Sequence, residues 1–121
     1  MTSGVTLYGI SNCDQVKKVR AWLAARDYVV VFHDFKKAGI DRATIACWMQ
    51  QIDWEVLLNR KGTTWRGLSD ERKSTITNAE SATELMLEQP PVIKRPVLVL
   101  AEQIVVGFSE PLYESLFKKI L

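Results

Sequence analysis

Val5-Thr6-Leu7-Tyr8-Gly9-Ile10-Ser11-Asn12-Cys13-Asp14-Gln15-Val16-Lys17-Lys18 is the stretch on which the reading of this chain turns. Val5 to Ile10 is a short apolar run that reads as a buried strand, and Gly9 lets the backbone turn near its end. Asn12, or Ser11 one residue earlier, is a side chain of the kind that caps a helix start. Val16, Val19 and Leu23 then recur at helical spacing, with Lys17, Lys18 and Arg26 facing away. Cys13 therefore falls at a strand-to-helix junction. The unpaired N–H groups and the positive dipole end at such a place favour a thiolate over a thiol. Cysteines so placed are acidified from about 8.5 into a range of roughly 3.5–7.5. Lys17, one turn along, adds a second cationic influence.

Downstream, Tyr28-Val29-Val30-Val31-Phe32 is β-branched and aromatic, which predicts a second strand. Strand, helix and strand within about thirty residues make a βαβ unit with parallel strands. The middle of the chain is helical by pattern. Asp41 opens a helix with an apolar stripe of Ile45, Trp48, Met49 and Ile52, and Trp54 to Leu58 reads as a further short turn. Asn59 to Gly67 is a loop by composition, Ser69 caps a short helix, and Asn78 starts another that Pro90-Pro91 stops. These pieces define a helical block at about 41–89. Val97-Leu98-Val99-Leu100 and Ile104-Val105-Val106, joined by three residues, predict an antiparallel hairpin. Ser109 then caps a last helix, with Phe108 and Tyr113 as a hydrophobic staple and Leu112, Leu116, Phe117 and Ile120 toward the sheet.

The expected architecture is one α/β domain over 1–121. Its plan is a thioredoxin/glutaredoxin-like mixed four-stranded sheet with a helical insertion between the βαβ and ββα halves. Pro96 stands just before the third strand, where that plan has a proline. A cis peptide at Arg95–Pro96 is expected to bring backbone close to Cys13.

Composition narrows the function classes. A chain of 121 residues buries a sufficient core without disulfide or metal staples. A net charge of +2 is too small to signal direct nucleic-acid binding. No run approaches the ~18 apolar residues of a membrane span, and no basic-then-apolar leader stands at the start. The two cysteines, Cys13 and Cys47, form no scaffold pattern, so a reducing compartment, the cytoplasm, is expected. No metal-ligand spacing is present in the sequence.

Three segments carry a family resemblance: Leu7-Tyr8-Gly9-Ile10-Ser11-Asn12-Cys13, Leu57-Leu58-Asn59-Arg60-Lys61-Gly62-Thr63-Thr64-Trp65, and Ile93-Lys94-Arg95-Pro96. Together they make the chain resemble the arsenate reductase (ArsC) family with a glutaredoxin-like fold, over nearly its whole length and closest to its YffB-like branch. Spx-type regulators share that fold. The resemblance implies a nucleophile at Cys13 and an oxyanion-binding arginine at Arg95. It implies a second arginine in the Asn59, Arg60, Lys61 register, with Arg60 as its bearer. It further implies a glutathione-dependent thiol reductase, with Asn12, Lys17, Arg95 and Pro96 as the residues that receive the co-substrate. No tightly bound cofactor is implied. The partners are glutathione or glutaredoxin and a small anionic or thiol-containing substrate, and a monomer is expected. A third arginine of the true arsenate reductases falls at Val106-Gly107-Phe108-Ser109, where this chain has none, and that argues against arsenate as substrate. The C-x-x-C partner position is Val16, which points to a monothiol cycle and away from an Spx-like switch that docks on RNA polymerase.

Other conspicuous residues carry plainer readings. Cys47 falls opposite the Ile45–Trp48–Met49–Ile52 stripe and is better read as an inert thiol than as a resolving cysteine. His33 is a strand-end polar residue rather than a catalytic base. Arg60, Lys61 and Arg66 crowd one loop that charge alone reads as solvated, and Trp65 is expected to pack the insert.

Overall fold

A computed structural model describes residues 5–120, with side chains as far as residue 118. The elements run β1 (Val5–Gly9), α1 (Asp14–Ala25), β2 (Val31–Asp34), α2 (Arg42–Met49), α3 (Trp54–Leu57), α4 (Thr63–Arg66), α5 (Asp70–Ser74) and α6 (Ala79–Glu88). A 3-10 turn at Pro90–Val92 follows, then β3 (Val97–Leu100), β4 (Gln103–Val106) and α7 (Glu110–Ile120). The described residues form two compact units, one made of residues 5–34 and 95–120 and the other of residues 35–94.

The first unit is the mixed four-stranded sheet, in the order β2-β1-β3-β4. β1 runs parallel to β2 and antiparallel to β3, and β3 runs antiparallel to β4. Val5, Leu7, Leu98 and Leu100 meet Val19, Trp22 and Leu23 of α1 and Tyr113, Leu116 and Phe117 of α7 in one core. Burying each large apolar side chain contributes roughly 1.5–3 kcal/mol before the entropy cost of ordering it. The staple at the start of α7 is present: the Phe108 and Tyr113 rings meet edge-on at 4.8 Å, and the Tyr113 N–H donates to the Ser109 carbonyl at 2.9 Å. Leu116 and Phe117 are buried as expected, but Leu112 is 46% exposed, one position off the packed stripe. The side chain of Ile120 lies outside the described residues.

The second strand is displaced from its expected place. β2 covers Val31–Asp34 rather than Tyr28–Phe32. Asp27 takes a positive φ of 57° as the chain leaves α1, and the Tyr28 N–H donates back to the Leu23 carbonyl at 3.1 Å. Tyr28 then stacks on Phe117 at 4.3 Å instead of pairing with β1. The parallel ladder starts only at Thr6↔Val31 and extends to Gly9↔Asp34, which brings His33 and Asp34 into the strand. The β3–β4 hairpin turns on Ala101 and Glu102 alone, with Ala101 at φ 56°, so Gln103 joins β4.

The second unit is helical. Asp41 accepts from the Thr44 N–H at 2.8 Å to cap α2, whose Ile45 and Trp48 are buried. Asn78 and Ser81 form a reciprocal capping box at the start of α6. α2 and α6 pack together, and an Arg42–Glu84 ion pair links them. The Asn59–Gly67 segment is not all loop: residues 63–66 wind one helical turn, α4. No helix among the described residues is long and apolar enough to cross a membrane.

Candidate active site

Cys13, not Asn12 or Ser11, is the residue that caps α1. Its backbone is extended, with φ −87° and ψ 128°, while its carbonyl already accepts the first helical bond from the Lys17 N–H at 2.9 Å. The Cys13 N–H donates to the Ile10 carbonyl at 3.1 Å and closes a tight turn over Ser11 and Asn12. Those two residues therefore belong to the turn and leave the N-cap position to the cysteine, whose side chain makes no capping hydrogen bond. The amides of the first turn of α1 have no intrahelical acceptor, so the half-buried sulfur sits at the electropositive helix end. Asn12 and Lys17 are both exposed on either side of it.

The register of the sheet gathers the neighbouring parts. Tyr8 pairs with Val97, so the C-terminal end of β1 lies beside the N-terminal end of β3. Pro96 is buried immediately before β3, and the Arg95–Pro96 peptide is cis. The Pro96 carbonyl accepts from the Gly107 N–H at 2.8 Å, which ties the β4 exit to the same sheet end. Arg95 is half-buried, with its Nε shielded from solvent. Asp34 closes the other flank: its Oδ2 accepts from the Ser11 N–H at 3.0 Å. One end of the sheet thus assembles the Cys13 turn, the Arg95–Pro96 peptide, Asp34 and the arginine-free segment 106–109. Beside it, a groove of about 390 Å³ runs between α1 and the start of α7, lined by Lys18, Trp22, Phe108, Ser109 and Glu110 among others.

Arg60 belongs to the second unit and has its own setting. Its guanidinium lies 5.7 Å from the Trp54 ring and 5.6 Å from the Trp65 ring, and pairs with Glu55 at 3.6 Å. The turn that carries it is anchored by the Asn59 N–H donating to the Val92 carbonyl at 2.8 Å and by the Leu58↔Ile93 bridge. Asn59 folds under Gly62, where an added Cβ would stand 2.8 Å from its Nδ2. Cys47 is exposed on α2. His33 is spent on a tilted ring contact with Tyr8 at 5.0 Å. Asp34 was not legible from spacing, because its role depends on a strand that begins three residues later than propensity places it. Its only sequence signal is a carboxylate at the end of the strand that runs beside the cysteine turn.

A mixed sheet in this order, with a cysteine capping the first helix opposite a cis-proline, defines a thioredoxin-like α/β protein. The chain belongs to the ArsC family, whose model matches residues 8–116, and it is a YffB-like member. It is 43% identical to a YffB protein, superposing with a TM-score of 0.88 over 93% of this chain and 97% of that one. It is 46% identical to an arsenate reductase (ArsC) related protein from Brucella melitensis, with a TM-score of 0.74 and 98% of each chain covered. An uncharacterized protein of Haemophilus influenzae is 35% identical over 113 residues, 93% of this chain and 98% of that one.

Proposed function

We propose that the protein is a thiol-dependent oxidoreductase in which Cys13 is the single nucleophile and glutathione or glutaredoxin closes the cycle. The observation that carries this reading is the placement of Cys13 as the cap of α1 at the sheet end that also holds Arg95 and cis-Pro96. The Cys13 thiolate attacks one sulfur of a mixed disulfide R–S–S–G, forming Cys13–S–S–G and releasing the thiolate RS⁻. A second glutathione thiolate then attacks the bound glutathione sulfur, returning Cys13 as thiolate and leaving oxidised glutathione. The sum is R–S–S–G plus one glutathione thiol giving RSH and oxidised glutathione, with one S–S bond broken and one formed in each step. Val16 supplies no resolving thiol, so the second step is intermolecular.

Arg95 stabilises the sulfur anion and receives a carboxylate or oxyanion; Arg60, whose guanidinium lies near the Trp54 and Trp65 rings, is the second arginine that the family resemblance implies. Asn12, Lys17 and Pro96 frame the approach to the sulfur. The groove beside α1 suits the co-substrate, because Lys18 in its lining favours a carboxylate. The cycle operates in a reducing compartment, the cytoplasm, with a monomer as the working unit. Mass spectrometry after incubation with oxidised glutathione tests the reading. One glutathione adduct on the wild type and none on Cys13→Ser supports it, and an unmodified wild type overturns it.

Family membership keeps arsenate reduction as a second reading. The missing arginine at residues 106–109 ranks it lower, since a tetrahedral oxyanion is held by several guanidinium forks. Turnover of arsenate with glutathione and glutaredoxin would raise it above the disulfide reading.

A further inference from the structure

We infer that Asp34 is a positioning residue for the cysteine turn, an inference that rests on Cys13 being the nucleophile. The Ser11 amide lies in the four-residue gap between strand and helix, where neither the β1 ladder nor the α1 ladder supplies an acceptor. Asp34 Oδ2 fills that role at 3.0 Å, bridging 23 positions of sequence. A carboxylate accepting from a backbone N–H makes a charge-assisted bond, about twice as strong as a neutral one. Its partner atom is main chain, so the bond acts on the path of the backbone two residues before Cys13 rather than on one rotamer.

Both ends of the tie are fixed. Asp34 is the last residue of the parallel ladder, opposite Gly9, and the residue before it is held by the Tyr8–His33 ring contact. The turn is closed on the other side by the Cys13 N–H to Ile10 carbonyl bond. The inward sweep of Ser11 is thus determined by β2, and with it the angle at which Cys13 enters α1. Negative charge does not by itself favour a thiolate nearby, so the useful property of Asp34 is its acceptor oxygen. An oxygen acceptor without charge therefore replaces it.

The test compares Asp34→Ala with Asp34→Asn in the full chain, reading iodoacetamide alkylation of Cys13 across pH and turnover with a glutathione mixed disulfide. Asp34→Ala slows alkylation at neutral pH by about tenfold, moves half-maximal alkylation to higher pH and lowers kcat more than it changes KM. Asp34→Asn restores most of that loss. An Ala variant that melts at lower temperature but keeps the wild-type pH profile overturns the inference, as does an Asn variant as impaired as Ala. Amide hydrogen exchange on the wild type is a check that needs no variant: a protected Ser11 amide supports the tie, and one exchanging at open-loop rates overturns it. Failure of the function reading looks different, since the wild type itself would then take no glutathione adduct.

Discussion

A methyl group placed on Gly9 would stand 2.7 Å from Val16 Cγ2 and 3.2 Å from Cγ1, closer than carbon atoms pack. The last residue of β1 and the first-turn valine of α1 are therefore in direct contact across the cysteine turn. Val16 is fully buried and β-branched, so it has no free rotamer into which to retreat. Val16 also occupies the place of the second thiol in a C-x-x-C pair. The same side chain that stands in the second C-x-x-C position is thus packed directly against the end of β1.

Gly9→Ala is expected to destabilise the fold by about 1–3 kcal/mol through overpacking and to slow alkylation of Cys13 by displacing the start of α1. Val16→Ala opens the space that the new methyl needs. The double variant should lose less stability than the sum of the two single changes, with a coupling of roughly 0.5–3 kcal/mol. Urea unfolding of the four proteins measures the cycle, and strictly additive losses would show that the contact is not the cause.

Arg95 and Arg60 should separate by assay. Arg95→Ala removes the guanidinium of the residue before cis-Pro96, and alkylation at pH 7 should fall about tenfold, the scale of one lost charge-assisted bond. Arg60→Ala lies in the other unit and should raise KM for an anionic substrate while alkylation by neutral iodoacetamide changes little. Equal losses in both assays for both variants would refute this division.

Burial pushes the Tyr113 phenol above its ordinary value of about 10. The folded state therefore keeps this proton where the unfolded chain has released it. The contribution is complete below pH ~10 and is lost as pH rises beyond it. Tyr113→Phe removes both the titration and the weak 3.4 Å bond from the hydroxyl to the Gly107 carbonyl. Wild-type stability should fall relative to that of Tyr113→Phe above pH ~10, and parallel curves there would contradict the assignment.

Asn78→Ala breaks the capping box of α6 and should cost about 0.5–2 kcal/mol. The expected signature is a lower urea midpoint with an unchanged slope. An unaltered midpoint would mean that packing of Ala82 and Thr83 alone fixes that helix end.

Local signals carried most of the frame. Asp41, Ser69 and Asn78 are polar side chains directly before helical patterns, and each accepts from an amide three residues on. The Phe108–Tyr113 staple and the Val97–Leu100 strand were legible for the same reason, since each depends on neighbours in sequence. The misread positions depend on distant partners. Tyr28 has strand propensity but is drawn to Phe117 of the last helix, and the parallel ladder starts where β1 starts. Thr63–Arg66 reads as a loop because of its flanking glycines, yet Gly62 caps the single turn. Cys13 was visible as a junction residue, whereas Asp34 entered the site only through a register that no local pattern encodes.

The helical block leaves the sheet directly after Asp34 and returns directly before Arg95. Its two covalent attachments are thus the acceptor of the Ser11 amide and the guanidinium-bearing residue of the cis peptide. The two chain crossings, after residue 34 and before residue 95, therefore both fall next to residues of the sheet end that carries the Cys13 turn.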